Sequence, residues 1–354
     1  MGVKLKKYME DINRKKQYDV YYENGVLEHE IIKNGLFYII DTHNDFQDSR
    51  FFYDGDRIIN ALENALIGTY DVFTRKILGN YKELDELEYL LPIWVTKAGL
   101  DSDFFISKEQ FEYFCNRSLK PEIDNLPKDM EEKYKLLDSQ KNKYLYLADC
   151  HFLVDSIQEL IISANTSFIN FYKDLCNINV CYDFVDDYWT SGYETRLVFA
   201  DLSNIFISLH SCLDIITKVC YELEHLQECE INYPKLSSRN TIYRPNININ
   251  LFSTDNTIFE KNIDIQFLMN VRNDIIHNCG WEMNPKVFIK ICNQKLVDKT
   301  VYMMDVDKDG NIVKSKTRNR FYSQSRKLNL ELDSIYFSIL ELILNTVQKI
   351  NQIC

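Results

Sequence analysis

The sequence contains few of the residues that interrupt regular secondary structure. Its 354 residues include only 10 Gly and 6 Pro. A β-rich fold needs many turns, so this scarcity, together with abundant Leu, Ile, Lys and Glu, favours long helices over a β-sandwich or β-barrel. The chain is longer than a typical domain of roughly 100–200 residues, so two domains or one elaborated domain are expected.

Long apolar runs are also missing. No run of roughly 18 apolar residues occurs, which predicts that no helix spans a membrane. The first residues, MGVKLKKYMEDINRKK, lack the apolar segment of a signal peptide. The hydrophobic fraction of 45% and the charged fraction of 27% are typical of a globular chain. A cytoplasmic protein without a membrane partner is therefore expected.

The sequence lacks the spacing of a metal or disulfide framework. Its 10 cysteines form no C-x-x-C pair, and several occupy apolar positions of helical stripes, where a thiol acts as a small hydrophobic group. Glu28-His29-Glu30 and Asp41-Thr42-His43 have no companion ligands at useful spacing. The segment from Asp305 to Gly310 imitates an EF-hand loop, but Lys316 stands where a bidentate Glu is required. Reduced structural thiols, no metal and no other cofactor are predicted.

The formal net charge of −12 argues against a protein that coats nucleic acid non-specifically. It leaves room for a local basic cleft, because net charge describes long-range steering and not a site. One basic stretch surrounds Phe321 and Tyr322 and comprises Lys314, Lys316, Arg318, Arg320, Arg326 and Lys327. This stretch is either an RNA-binding segment, with Lys316, Arg318 and Arg320 on the phosphate backbone, or solvated loop charge.

The N-terminal third predicts a small α+β region. Residues 26–40 contain two β-rich runs around Asn34-Gly35, which is a strong hairpin signal. A helical pattern follows at 56–79, and shorter helices are predicted around 83–91 and 107–117. Pro residues and a charged stretch then mark a boundary, so we expect an N-terminal α+β region at 1–125 and a helical domain at 126–354.

The second part of the chain predicts a mostly α fold. Apolar residues spaced by three and four indicate helices near 147–176, 194–228, 262–280 and 329–352. The first two are long and joined by a modest loop, so they should pack antiparallel. Residues 299–316 predict a second hairpin that turns at Asp309-Gly310. We therefore expect four helices with a small β-hairpin insertion.

The third of these helices contains the segment FLMNVRNDIIHNCGW. In it, Arg272 is followed by Asn273, and His277 comes after four intervening positions. This pattern resembles the signature of the HEPN superfamily, in which an Arg, a polar residue and a His lie on a helix of a four-helix domain. The resemblance implies a HEPN-like four-helix bundle. Toxins of one HEPN branch have a Tyr two residues after the His, where this chain has Cys279.

The resemblance also implies a function and roles for residues. Many HEPN proteins are metal-independent endoribonucleases of prokaryotic toxin–antitoxin and other defence systems, and they commonly dimerise. His277 would act as general acid or base on RNA, and Arg272 would stabilise charge on the phosphoryl oxygens. Asn273 shares the outer helical face with His277 and is placed to orient the imidazole. Asp214, on the second long helix, either supports the motif or forms a surface ion-pair ladder.

Two alternatives remain open from the sequence. A helical wheel turns His277 away from the apolar stripe, so Arg272 and His277 are either a catalytic pair or cations that complement the helix macrodipole. The chain is accordingly either a ribonuclease or a non-catalytic HEPN-fold binding or scaffold protein. The acidic charge and Cys279 favour the second, whereas the Arg-Asn-x-x-x-His pattern favours the first. The expected partners are RNA, a second copy of the chain, and an antitoxin or another protein.

Overall fold

The computed structural model describes most of the chain in separate ranges. These are residues 27–31, 37–41, 48–52, 56–79, 107–109, 112, 128–181, 187–226, 235–244, 247–278, 284–292, 295–318 and 320–353. The predicted helix at 83–91, most of the one at 107–117, the boundary between 125 and 126, and the Asn34-Gly35 turn lie outside these ranges. Within them the protein is mostly helical, as expected.

Five α-helices lie within the described ranges. They are α1 (Asp56–Leu78), α2 (Lys128–Asn177), α3 (Tyr193–Glu224), α4 (Ile263–His277) and α5 (Leu328–Asn351). The predicted positions of α1, α3, α4 and α5 are confirmed. Helix α2 ends where the pattern predicts but begins earlier than residue 147. Its sequence contains no Gly or Pro, so nothing in its polar first turns interrupts the helix.

A first antiparallel sheet precedes α1. Its strands are β1 (Leu27–Ile31), β2 (Phe37–Asp41) and β3 (Asp48–Phe52), in that order. Strands β1 and β2 pair from Leu27 opposite Asp41 to Ile31 opposite Phe37, which confirms the two predicted hairpin strands. Strand β3 is an addition that the sequence pattern did not indicate.

A second antiparallel sheet is inserted between the helices. Its strands are β4 (Tyr188–Thr190), β5 (Val287–Cys292) and β6 (Lys295–Thr300), in that order. The predicted turn at Asp309-Gly310 is confirmed, because Val306 and Ile312 form an antiparallel bridge and Gly310 adopts a φ of 81°. The main strands of the insertion nevertheless lie upstream of that turn, because β5 and β6 form a hairpin between α4 and it.

The chain divides into two compact units that interleave along the sequence. One contains residues 1–59, 164–207 and 266–339, and the other contains 60–163, 208–265 and 340–354. Helices α2, α3 and α5 contribute one segment to each unit. The first unit includes the β4–β5–β6 sheet and nearly all of α4, and we call it the motif unit. The second includes most of α1, and we call it the α1 unit.

Aromatic side chains form the core of the motif unit. Phe168 of α2 stacks on Tyr336 of α5, with ring centroids 4.2 Å apart and planes 12° apart. Phe206 of α3 meets Phe267 of α4 edge to face at 5.7 Å. All four rings are almost completely buried. Large aromatic rings bury more apolar surface than most side chains, so the first pair holds α2 against α5 and the second holds α3 against α4.

The α1 unit contains a buried carboxylate with a full set of donors. Glu222 of α3 is 0% exposed. It accepts hydrogen bonds from the Tyr146 hydroxyl at 2.6 Å, the Ser237 hydroxyl at 3.1 Å and the Ser238 backbone N–H at 2.7 Å. A buried charge is tolerated only when it is hydrogen-bonded, so Glu222 fixes the segment that begins at 235 against α2 and α3.

Helix α3 is the one helix of the described ranges that is long and apolar enough to cross a membrane. Of its most apolar stretch, 56% is buried inside the protein. The core helix of a soluble protein has the same length and composition, so this is weak evidence for a membrane span.

Asn329, in the first turn of α5, links three elements of the motif unit. Its side-chain oxygen accepts from the Val301 backbone N–H at 3.1 Å, and its amide donates to the Lys299 carbonyl at 3.1 Å. Its own carbonyl accepts from the Tyr172 hydroxyl at 3.1 Å. The side chain therefore replaces a neighbouring strand where β6 ends and joins that end to α5, while the backbone carbonyl of Asn329 joins α5 to α2.

We expect Asn329→Ala to lower the free energy of unfolding by about 2–4 kcal/mol, because a buried N–H and a buried carbonyl lose their partners. Urea denaturation followed by circular dichroism measures this change. The matched control is Asn240→Ala, which removes an exposed amide and should change stability by less than about 0.5 kcal/mol. Equal stability of the two variants would contradict the role of Asn329.

Candidate functional site

The candidate site lies on α4, and the start of this helix is fixed by a side-chain cap. The Asn262 side-chain oxygen accepts from the backbone N–H groups of Asp264 at 2.8 Å and Ile265 at 3.2 Å. Such a cap satisfies donors that have no partner inside the helix. Leu268 and Val271 are fully buried, so the cap and the apolar stripe together set which residues of α4 face outward.

The inward face of α4 differs in one respect from the predicted stripe. The sequence places Ile275 and Cys279 in the core with Leu268 and Val271. In the structure Ile275 is only half-buried, and Asp274 is buried in its place with 4% exposure; Cys279 lies outside the described residues. The third position of the Arg-Asn-x-x-x-His segment is thus a buried carboxylate, which the hydrophobic pattern could not reveal.

Asp274 is held by the end of its own helix and by Arg320. The Asn278 amide donates to one carboxylate oxygen at 2.6 Å, and Arg320 donates to the other from Nε at 3.4 Å and Nη2 at 3.3 Å. Arg320 Nη2 also donates to the Asn278 carbonyl at 3.2 Å. A guanidinium therefore neutralises a buried carboxylate and caps a C-terminal carbonyl, both of which need a donor.

The three predicted motif residues lie on the accessible side of the same turns. His277 and Asn273 are exposed, and Arg272 is half-buried. The prediction that His277 faces away from the apolar stripe is confirmed. Arg272 Nη1 donates to the Asn273 side-chain oxygen at 3.1 Å, which fixes the guanidinium beside that amide. The orientation of the imidazole by Asn273 stays a prediction.

This arrangement has two chemical groups suited to phosphodiester chemistry. A guanidinium has five N–H donors in a planar fork, of which Asn273 uses one in Arg272. An imidazole can donate a proton from one ring nitrogen and accept one at the other, and that of His277 is accessible to solvent. Both groups lie in the last two turns of one helix, whose end is fixed by Arg320 and Asp274.

The proposed RNA-binding residues differ in their surroundings. Lys316 and Arg318 are exposed in a turn closed by hydrogen bonds between Ser315 and Arg318. The Arg318 guanidinium lies 5.7 Å from the centre of the Phe321 ring. The Arg320 side chain is 21% exposed and bound to Asp274. The basic stretch is therefore part solvent-facing charge and part structural clamp.

Asp214, the predicted supporting residue, lies in the α1 unit. One carboxylate oxygen accepts from the Tyr243 backbone N–H at 2.7 Å, and the other lies 3.5 Å from His210 Nδ1. These contacts tie the segment around Tyr243 to α3. A role of Asp214 in supporting the Arg272–His277 motif stays a prediction.

The segment that resembles an EF-hand uses its carboxylates within its own loop. Asp305 is buried and accepts from the backbone N–H groups of Ser323 at 2.9 Å and Gln324 at 2.8 Å, and from the Ser323 hydroxyl. Burial tends to raise the pKa of Asp305, but these hydrogen bonds outweigh it and the pKa lies below its ordinary value. Among the described residues, no cluster of three or more His, Cys, Asp or Glu could hold a metal ion.

A pair of carboxyl groups on two helices of the motif unit is invisible to sequence patterns. Burial raises the pKa of Asp201 to about 6, and the charge of Asp174 adds to the effect. The pKa of Asp174 is also raised, chiefly by burial. Asp174 lies on α2 and Asp201 on α3, so only tertiary packing brings them together.

We expect Arg320→Ala to destabilise the protein by about 1–3 kcal/mol, because it leaves the buried Asp274 carboxylate without its cation. Thermal unfolding measures the loss. The matched control is Arg318→Ala, which removes an exposed guanidinium from the same stretch and should leave the melting temperature nearly unchanged. A melting temperature of Arg320→Ala equal to that of the control would show that the clamp contributes nothing.

Comparison with known proteins supplies no assignment. No protein-family model, no curated protein and no solved structure matches this chain. Functional inference therefore depends on the side chains of α4 and on their surroundings in the motif unit.

Proposed function

We propose that this chain is a HEPN-type, metal-independent endoribonuclease-like protein. One observation supports this proposal above the others. Arg272 and His277 are accessible at the end of α4, while the buried group between them, Asp274, is neutralised by a different arginine. Because Arg320 already pairs with the buried carboxylate, the structural need for a cation is met without Arg272 or His277.

The proposed chemistry is transesterification within an RNA strand. The 2′-oxygen attacks the adjacent phosphorus as it loses its proton, and the bond from phosphorus to the 5′-oxygen breaks as that oxygen gains a proton. His277 performs one of these proton transfers, as base or as acid. Arg272 donates hydrogen bonds to the non-bridging oxygens, where negative charge develops. The products are a 2′,3′-cyclic phosphate and a free 5′-hydroxyl.

A second copy of the chain would supply the other proton transfer. One imidazole cannot be base and acid for the same step, whereas a two-fold interface brings identical surfaces together. Two copies of α4 facing each other would place two histidines and two arginines in one cleft. We propose this homodimer for a cytoplasmic protein of a prokaryotic defence or toxin–antitoxin system, in which an antitoxin or another protein is a further partner.

We expect His277→Ala to lower the rate of RNA cleavage by about 10²–10⁴-fold, the usual worth of a positioned acid or base. Arg272→Ala should lower it by about 10²–10³-fold through loss of charge stabilisation. Cleavage of a mixed RNA pool by the purified protein, with and without a chelator, measures both effects. Melting temperatures should stay near that of the wild type, because neither side chain belongs to the buried stripe.

His225→Ala is the matched control for this experiment, since it removes an exposed imidazole at the end of α3. It should leave cleavage unchanged. Wild-type rates in both motif variants would rule out the catalytic role. A large drop in their melting temperatures would assign the pair to helix stability.

The alternative is a non-catalytic HEPN-fold binding or scaffold protein. The net charge of −12 favours it, because an acidic protein attracts RNA weakly over long range. Under this alternative the wild-type protein does not cleave RNA under any condition, and mutation of Arg272 or His277 weakens the binding of a protein partner.

We expect the purified protein to sediment as a dimer at micromolar concentration. If two copies of α4 complete one site, an excess of His277→Ala subunits mixed with wild-type subunits lowers the wild-type cleavage activity, because each mixed dimer keeps one His277 and lacks one of the two proton transfers. Analytical ultracentrifugation and the mixing assay test this arrangement. A monomer that retains full cleavage activity would exclude it.

A further inference from the structure

The outer face of the β4–β5–β6 sheet carries aromatic side chains in solvent. Trp189 of β4 pairs directly with Phe288 of β5. Their side chains are 52% and 38% exposed, while Val287 and Ile289 on either side of Phe288 are buried. Residues opposite each other in an antiparallel pair share one face, so the two rings are neighbours on the solvent side.

Cations adjoin these rings. Lys286 Nζ lies 4.8 Å from the centre of the Trp189 ring, a cation–π distance. Trp189, Lys286 and Arg196 line a cleft of about 220 Å³ beside the sheet. Lys290, two residues beyond Phe288, is exposed on the same face. Exposed aromatic rings can stack on a flat ligand, and the positive side chains beside them can pair with an anionic group of the same ligand.

Trp189 also lines a second, larger cleft of about 520 Å³. Its lining is more apolar than polar and includes the Tyr188 ring, the Asn179 amide and the Asp187 carboxylate. Trp189 thus lines one cleft that contains two cations and another that contains a phenol ring, an amide and a carboxylate. That division matches a nucleotide, whose phosphate needs cations and whose base needs a flat ring and polar edges.

The Phe288 ring packs against another aromatic side chain of the motif unit. Tyr302 contacts it edge to face, with ring centroids 5.0 Å apart, and Tyr302 is bridged to Lys327 through the backbone. The Lys327 ammonium in turn pairs with Asp298 of β6. The ring is therefore held in place, and a rigid ring loses little entropy when a flat ligand stacks on it.

We propose that this face binds single-stranded RNA, with a base stacked on Trp189, its neighbour near Phe288, and phosphates paired with Arg196 and Lys286. The choice of RNA as the ligand rests on the proposed function. A single strand fits better than a duplex, because only unpaired bases expose a face for stacking. The surface belongs to the motif unit, which also contains Arg272 and His277.

The test is binding of a fluorescein-labelled single-stranded RNA of about twelve nucleotides, measured by anisotropy in a His277→Ala background that prevents cleavage. Trp189→Ala should weaken affinity about tenfold or more, with the salt dependence unchanged, because it removes stacking and no charge. Trp189→Phe should recover most of the affinity. Arg196→Ala with Lys286→Ala should flatten the slope of log affinity against log salt by about 1.4, the value for two lost phosphate contacts on a single strand.

Two matched controls use exposed side chains of the α1 unit. Phe152→Ala removes an aromatic ring that is 63% exposed on α2, and Arg239→Ala removes an exposed guanidinium. Neither should change affinity or salt slope. Absence of RNA binding by the parent protein, or equal affinity of Trp189→Ala and the parent, would overturn the proposal. If Trp189→Ala does not fold, the slope of log affinity against log salt for the variant with Arg196→Ala and Lys286→Ala tests the proposal instead, and a slope equal to that of the parent would overturn it.

Failure of this proposal is separable from failure of the proposed function. If the protein with His277 intact cleaves RNA, and Trp189→Ala changes neither the rate nor the KM, the stacking surface is refuted and the ribonuclease function stands. If RNA binding depends on Trp189 but the protein never cleaves RNA, the stacking surface stands and the ribonuclease function is refuted.

Discussion

The hydrogen bonds of the Asn329 side chain determine how the inserted sheet joins the helices of the motif unit. Where β6 ends, a backbone N–H and a carbonyl are buried and need partners, and the Asn329 amide supplies both. Nearby, the buried Lys299 ammonium donates to the Cys176 carbonyl at the end of α2. A strand edge inside a helical core would otherwise leave costly unsatisfied groups. Because the inward face of the sheet is fixed in this way, Trp189 and Phe288 on the opposite face are turned to solvent.

A second constraint acts on α4. A carboxylate buried inside the motif would be unfavourable alone, and Arg320 makes it tolerable by neutralising Asp274 and capping the Asn278 carbonyl. This pairing separates two kinds of charge that look alike in the sequence. Arg320 stabilises the fold, whereas Arg272 has only an amide partner on its own helix in the described structure. Arg272 is therefore not the cation that neutralises Asp274.

The electrostatics of the chain fit local recognition and not long-range attraction. With a net charge of −12, the protein repels polyanions at a distance. Binding of an RNA strand would then depend on a few cations close to the strand, together with aromatic stacking that salt does not screen. Both proposed sites combine positive side chains with a group of another kind, an imidazole in one and aromatic rings in the other. Under both proposals, binding would be selective against bulk nucleic acid, because it would need that combination of groups.

The sequence by itself determined the elements whose signals are local. Apolar spacing of three and four located α1, α3, α4 and α5, and the same geometry turned His277 outward, because helical periodicity is set by contacts within a few residues. The β-rich runs around Asn34-Gly35 likewise located β1 and β2.

Three features needed tertiary structure. Strand β4 has only three residues and pairs with β5 almost one hundred positions later; Asp274 meets Arg320 across 46 positions; and Asp174 meets Asp201 across two helices. A polar residue shows in the sequence only as polar, and whether it is solvated, buried or paired depends on distant segments, which the tertiary fold alone brings together.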